Sequence, residues 1–352
     1  MIGRTAQEIV DELLDKVAET KASDLHLSVG KPPILRISGK LYAVSEIPNI
    51  GRNDIQEISR IIAGEERGRL FEQNQEELDL PFEHKNGLRF RVNLYFSARE
   101  IAIAMRAIPS EIKTLKQLNL PSELEQFVHY SQGFVLMTGP TGHGKTTTMA
   151  SLVDMINKTR VAHIITIEDP IEYLYKEDKC LIHQREVGND TASFAKALKM
   201  AFREDPNVVV IGEMRDLESI ATALMIAETG HLVFATLHTN DSSQTINRIV
   251  DVFPASQQAQ IRMQLSVTLT GIVSQRLIPA KDGTLLPAVE LLLATPAVRN
   301  LVREGEIAQI PGMIQMSSGQ GMITMEQSLR ELVNSGKVNP EEVKLFLHGA
   351  DV

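Results

Sequence analysis

The stretch Gly139-Pro140-Thr141-Gly142-His143-Gly144-Lys145-Thr146 has the residue types and spacing of a phosphate cradle. The glycines let the backbone curl until several N–H groups point at one anion. A helix starting behind the loop adds partial positive charge at its N-terminus. Lys145 can then reach the β- and γ-phosphates of ATP, and the Thr146 hydroxyl can ligate Mg²⁺, with Thr147 at the exit of the loop. A glycine-rich turn that bound nothing would need neither the lysine nor the hydroxyl.

Two acidic segments follow downstream. The run His163-Ile164-Ile165-Thr166-Ile167 ends in Glu168-Asp169-Pro170-Ile171-Glu172, and Val208-Val209-Val210-Ile211 ends in Gly212-Glu213. Apolar runs of this length predict buried strands, and carboxylates at the C-terminal ends of parallel strands sit where such sheets bind ligands. Four apolar residues and then an acid, downstream of a P-loop, form a Walker B pattern. Glu172 and Glu213 are therefore candidates to hold Mg²⁺, directly or through water, or to polarise the attacking water. Which of the two activates water stays open. His231 and His238 bracket a further strand, and either can be a γ-phosphate sensor or a structural hydrogen-bonding residue.

The elements that must position these groups are legible around them. Phe134 to Met137 predict a strand before the loop, and residues 147–153 a helix after it. From about residue 117 onward, strands alternate with helices, the pattern of a parallel α/β sheet. Residues 190–203 and 217–229 predict helices, the second stopping at Gly230. Residues 323–335 and the segment after the Asn339-Pro340 start signal predict packing helices of an all-helical subdomain.

The first hundred or so residues read differently. Residues 5–20 predict an amphipathic helix, 23–27 a strand, and 34–37 with 41–44 a hairpin about Ser38-Gly39. Residues 53–74 read as helical. Asn86-Gly87 predicts a second hairpin, followed by a strand in which Phe90, Val92 and Leu94 alternate with Arg89, Arg91 and Asn93. Ile101, Ile103 and Met105 alternate in the same way with Ala102, Ala104 and Arg106. Together these predict an α+β domain over 1–108, a linker over 109–116 and an ATPase domain over 117–352. Arg91, Arg99 and Arg106 lie outside the P-loop domain; they suit either a solvated face or a donor surface that stabilises charge on a transferring phosphoryl group.

Composition narrows the class. The chain has 352 residues and is 43% hydrophobic, ample for more than one core. No apolar run approaches the ~20 residues of a membrane span, and the N-terminus lacks a signal-peptide core, so the expected location is cytoplasmic. One cysteine, Cys180, excludes an intramolecular disulfide and a cysteine-rich zinc site. A formal net charge of −9 argues against a surface built for nucleic acid, and no nucleic-acid partner is expected.

In this order the blocks resemble the secretion-ATPase superfamily of type II secretion ATPases and type IV pilus motors. The likeness rests on an Asp box at 167–172, a Walker B segment at 208–216 and a His box at 229–238. It runs from Ala22-Ser23-Asp24-Leu25-His26-Leu27 through Arg89-Phe90-Arg91-Val92-Asn93 and Gln184-Arg185-Glu186-Val187. It ends at Ala297-Val298-Arg299-Asn300-Leu301-Val302-Arg303-Glu304, close to a motif of the pilus-retraction branch. The resemblance implies a homohexamer whose subunits pair an N-terminal PAS-like domain with a RecA-like ATPase domain carrying C-terminal helices. It implies ATP hydrolysis with Mg²⁺, His231 and His238 as His-box residues, and Arg91, Arg99 and Arg106 as arginine fingers. It further implies a peripheral place at the inner-membrane base of a pilus, with the platform protein and other pilus motor ATPases as partners. Assembly motors of the family usually carry a four-cysteine zinc site, which a single cysteine cannot build, so retraction is the expected direction. His143 departs from the small residue, often serine, usual at that position.

Overall fold

Helix α1, Ala6–Thr20, starts with a reciprocal cap: Thr5 Oγ1 accepts from the Glu8 amide and Glu8 accepts from the Thr5 amide. Such a cap is worth about 1 kcal/mol. Ile9, Val10, Leu13, Leu14 and Val17 fall on one face and are buried. The computed structural model describes residues 4–37, 39–85, 87–109 and 111–347, and the chain divides into two units, Met1–Ser110 and Glu111–Val352.

In the first unit α1 is followed by β1 Asp24–Ser28, β2 Ile34–Ile37, β3 Lys40–Ala43, α2 Arg52–Ala63 and α3 Glu65–Asn74. Strands β4 Leu78–Glu83, β5 Arg89–Ser97 and β6 Glu100–Ile108 complete it. Among the described residues they form an antiparallel sheet in the order β3-β2-β1-β6-β5-β4. One sheet face, with Leu25, Leu27, Phe90, Val92 and Leu94, packs against the apolar sides of α1 and α2. Ser38 and Asn86 of the two expected turns lie outside the described residues, but the flanking strands pair in hairpin register, Ile37↔Lys40 and Glu83↔Arg89. The helical stretch expected over 53–74 is made of two helices. Gly64 separates them at φ 81°, a backbone value that ends α2 and that glycine adopts without strain.

The second unit holds a short 3-10 helix Ser122–His129, β7 Gly133–Thr138, α4 Lys145–Thr159, β8 His163–Glu168 and β9 Leu181–Glu186. Next come α5 Phe194–Ala201, β10 Val208–Ile211, α6 Leu217–Glu228, β11 Leu232–Leu237, α7 Ser242–Asp251 and α8 Ala255–Thr268. Then follow β12 Leu269–Pro279, β13 Leu285–Leu293, α9 Pro296–Glu304, α10 Ile310–Met316, α11 Met325–Asn334 and α12 Pro340–Leu347. The strand order is β13-β12-β7-β11-β10-β8-β9, parallel throughout except for the antiparallel pair β12–β13. Strands β7, β10 and β11 are buried along their whole length because helices cover both faces. Phe134 and Leu136 join one core, with α6 and α8, while Val135 and Met137 join the other, with α4 and the 3-10 helix.

Two sequence expectations change here. The helix expected over 190–203 is only Phe194–Ala201; Val187 bridges Thr191, Ser193 caps the helix, and Phe202 lies 42% exposed beyond its end. Helices α11 and α12 do not form an all-helical subdomain. Leu329, Val338 and Val343 instead pack on Ile278, Leu286 and Ala288, because the β12–β13 pair presents an apolar face that must be covered. Finally, β9 and β12–β13 were not singled out as strands from the sequence. Among the described residues no helix is long and apolar enough to cross a membrane.

An ionic clasp ties α1 to the loop after β4. Asp11 Oδ2 is 2.6 Å from Lys85 Nζ, and Asp11 Oδ1 is 3.0 Å from His84 Nε2. The Lys85 ammonium, aided by His84 and Gln7 and opposed by slight burial, lowers the Asp11 carboxyl from 3.8 to about 2. A lowered folded-state value stabilises the fold above pH 3.8, and that contribution is lost as the pH falls through about 2. Asp11→Asn should therefore lower the thermal midpoint at neutral pH, and the gap from the unmodified protein should close as the pH is taken down towards 2. A gap that stayed constant across that range would contradict the assignment.

Candidate nucleotide site

The loop after β7 closes on helix α4 through glycines that no other residue could replace without strain. Gly139, Gly142 and Gly144 take φ values of 136°, 79° and 78°. At Gly139 an added Cβ would lie 2.2 Å from the Gln275 carbonyl oxygen, and at Gly144 it would lie 2.8 Å from Gln275 Nε2. The loop is thus both left-handed at these points and pressed against β12. Helix α4 begins at Lys145, immediately after Gly144, so its free amides face the cradle.

Register in the sheet brings the other groups level with the loop. Leu237 of β11 pairs with Thr138 of β7, and Ile211 of β10 pairs with both Ala235 of β11 and Ile167 of β8. Consequently Gly139, His238, Glu213 and Glu168 leave neighbouring strands at the same C-terminal edge. Lys145 is only 7% exposed, and its Nζ donates to the Gly139 carbonyl at 2.7 Å, the Pro140 carbonyl at 2.9 Å and His238 Nδ1 at 3.4 Å. Because an ammonium only donates, Nδ1 accepts, which leaves His238 Nε2–H to donate to Glu213 Oε1 at 3.1 Å. Thr141 Oγ1 also lies 3.3 Å from His238 Nδ1. Glu213 Oε2 pairs with Arg215 at 2.8 Å. Burial raises the Glu213 carboxyl, but Arg215 and His238 more than offset it, so Glu213 is held below its ordinary value. Burial lowers the Lys145 ammonium, and Glu213 and Glu172 pull it back towards the charged form.

At the end of β8 a second carboxylate is sealed in. Glu168 accepts from Thr166 Oγ1 at 2.6 Å, and from the Glu172 amide and Gln184 Nε2 at 3.4 Å each. Burial dominates and pushes its carboxyl up to about 7, against the pull of these donors. Glu172 lies exposed just beyond, and Tyr173 OH is 2.8 Å from Thr147 Oγ1 on the first turn of α4.

Of the residues singled out from sequence, the structure brings the P-loop 139–147, Glu172, Glu213 and His238 together. It does not bring His231 to them. His231 precedes β11, at the opposite end of a strand about 20 Å long, and its Nδ1 lies 3.0 Å from the Ile226 carbonyl and 3.1 Å from Thr229 Oγ1. In the first unit Arg91 and Arg106 are cross-strand partners, Arg106 paired with Asp24 at 2.8 Å. Arg99 sits in the turn after Ser97, about 20 Å along the hairpin from that pair, so the three arginines do not form one cluster.

Sequence reasoning missed Gln275, whose side chain donates to the His143 carbonyl and accepts from Thr148 Oγ1. It also missed Tyr173 and the trapped Glu168. Tyr173 adjoins Glu172, and Glu168 closes the apolar run that starts at His163, so its strand-end position was the signal for it. A cavity of about 200 Å³ opens beside Gly144, Thr147 and Thr148, walled by Leu277 and Pro287 with Gln117 and Asn119 at its polar side.

Comparison with known proteins gives a consistent picture. The sequence profile of the family described as "Type II/IV secretion system protein" matches residues 4–285. The chain is 42% identical over 335 residues to the type IV pilus retractation ATPase PilT of Pseudomonas aeruginosa, covering 95% of this chain and 97% of that one. It is 44% identical over 313 residues to a twitching motility protein of Neisseria gonorrhoeae, covering 89% and 83%. Its structure matches the crystal structure of the pilus retraction motor PilT with bound ADP at a TM-score of 0.88, with 45% identity and 95% of each chain covered.

The trapped carboxyl has a consequence for stability. A folded-state value raised from 4.5 to about 7 leaves its contribution intact below pH 4.5 and removes it as the pH rises through 7. Glu168→Gln keeps an acceptor for Thr166 and cannot ionise. Its unfolding free energy should gain on that of the unmodified protein by about 2–3 kcal/mol between pH 4.5 and pH 8, read from denaturant melts at each pH. Parallel profiles for the two proteins would refute the assignment.

Proposed function

Because the chain belongs to the type II/IV secretion system protein family, we propose that it is an ATP-hydrolysing motor that powers type IV pilus retraction. The observation that carries this reading is the Lys145–His238–Glu213 chain at the ends of adjacent parallel strands, in a protein 42% identical to a named retraction ATPase along nearly its whole length.

The chemistry follows from those contacts. The ammonium of Lys145 is poised on two loop carbonyls, and phosphate oxygens offer it stronger, charged acceptors at the same place. His238 spans Lys145 and Glu213, so a change at the lysine is felt at the carboxylate. Glu213, held charged by Arg215 and His238, suits the orientation of an attacking water. Thr146, in the first turn of α4, and the carboxylates Glu172 and Glu213 are an oxygen donor set of the kind Mg²⁺ takes. Bound there, the ion would neutralise charge on the β- and γ-phosphates. The cavity beside Thr147 and Thr148, apolar on one wall and amide-lined on the other, fits the nucleoside.

The same reading extends to the assembly. We assign 1–108 as the PAS-like domain, 109–116 as the linker and 117–352 as the RecA-like ATPase domain with its C-terminal helical region. The division of the chain at Ser110 and the parallel sheet around the P-loop support that assignment. The working form is a homohexamer on the cytoplasmic side of the inner membrane. It acts on the pilus platform protein alongside other pilus motor ATPases, with Arg91, Arg99 and Arg106 as candidate phosphate-facing donors.

Two measurements test this. Glu213→Gln should lower ATP turnover roughly 100-fold while nucleotide binding persists; unchanged turnover would remove Glu213 from the reaction. A host carrying Lys145→Ala in place of the native gene should show more surface pili and no twitching. Bald cells would make the protein an assembly motor, and an unchanged pilus count would overturn the retraction reading.

A further inference from the structure

Strand β12 outruns its neighbour. It pairs with β7 only as far as Ser274↔Thr138, yet it continues to Pro279. On its other side it stays paired with β13, from Gly271↔Leu293 to Pro279↔Leu285. Residues 275–279 therefore present an edge that β7 no longer covers.

The P-loop occupies that edge. Gln275 Nε2 donates to the His143 carbonyl at 2.8 Å, and Gln275 Oε1 accepts from Thr148 Oγ1 at 2.7 Å. The Leu277 amide donates to His143 Nδ1 at 2.9 Å. In that last bond a side-chain nitrogen takes a backbone N–H that a strand would meet with a carbonyl. The closeness of Gly139 and Gly144 to Gln275 shows how little room separates loop and strand.

We infer that His143 is a positioning residue for nucleotide binding: its imidazole replaces the missing strand partner of β12 and fixes the curl of the loop that faces phosphate. The inference rests on the reading that this loop binds ATP. Its geometry requires Nδ1 to be the acceptor, with the ring proton on Nε2. A doubly protonated ring would set N–H against N–H and break the bond to Leu277. The charged groups acting on the ring are Arg276 on β12 and Lys145 on the loop, and Lys113 lines the cavity at Gly144. Burial first, then Arg276 and Lys145, hold the imidazole below its usual range, so the acceptor form is the one present at neutral pH.

The test compares His143→Ala with His143→Asn in the full-length assembled protein. The Asn Oδ1 offers an acceptor close to the position of Nδ1 and does not titrate. The readouts are KM and kcat for ATP, the Kd for ADP, and hydrogen exchange at the Leu277 amide. His143→Ala should raise KM and Kd about fivefold, the loss of one well-placed hydrogen bond, with kcat changed far less. Its Leu277 amide should exchange faster, and His143→Asn should restore both the affinity and the protection. As the pH drops below 6.5, KM of the unmodified protein should climb more steeply than that of His143→Asn. An unmodified protein that hydrolyses ATP, together with a His143→Ala variant of equal KM and equal Leu277 protection, would overturn the inference alone. Weakened binding that His143→Asn fails to restore would overturn it too. An unmodified protein that neither binds ADP nor hydrolyses ATP would overturn the nucleotide reading and this inference with it.

Discussion

A buried ammonium sets the terms of the second unit. Lys145 is 7% exposed, and a cation taken from water without partners costs several kcal/mol. It is repaid by the Gly139 and Pro140 carbonyls and by His238, with the field of Glu213 behind them. Those partners come from separate segments, and they converge because β7, β11 and β10 run parallel and reach the same C-terminal edge of the sheet. The apolar strands are thus more than a core: their register aligns the groups that make the lysine tolerable. The same arrangement makes it responsive, since acceptors of partial charge are readily exchanged for phosphate oxygens.

The neighbouring strands impose related constraints. Burial holds the Glu168 carboxyl at the end of β8 above its ordinary value, and the hydroxyl, amide and backbone donors around it only partly offset that. On the opposite side of the loop, β12 serves as a rigid backing. Helix α8 runs directly into β12, and Arg299 of α9 donates to the Ser266, Val267 and Ala294 carbonyls, closing the end of α8 where the strand begins. The segment 297–304 therefore has a structural task in addition to its likeness to retraction motors.

Much of this was legible in the sequence, for physical reasons. The P-loop announces itself because its chemistry is local: glycine at left-handed positions, then a lysine and a hydroxyl on one helical turn. Glu213 was legible because an acid after four apolar residues marks the end of a buried strand. Gln275 was not, since it meets His143 across 132 residues and no local pattern encodes that approach. His231 and His238 looked equivalent as brackets of one strand. Strand polarity separates them, because only the C-terminal end of β11 meets the P-loop. Gly64 was passed over inside an amphipathic pattern that continues on both sides of it, although its φ of 81° ends the helix. The fate of α11 and α12 depended on an apolar β12–β13 face that the alternation of strands and helices did not reveal.

Lys145, held between loop carbonyls and His238, is placed to receive the nucleotide. Calorimetric titration of ADP with Mg²⁺ into the unmodified protein and into Lys145→Ala tests this role most directly. Binding to the unmodified protein should saturate, and the substitution should cost about 10- to 100-fold in affinity, the range for a hydrogen bond to a charged group. Equal affinity in the two proteins would contradict that role.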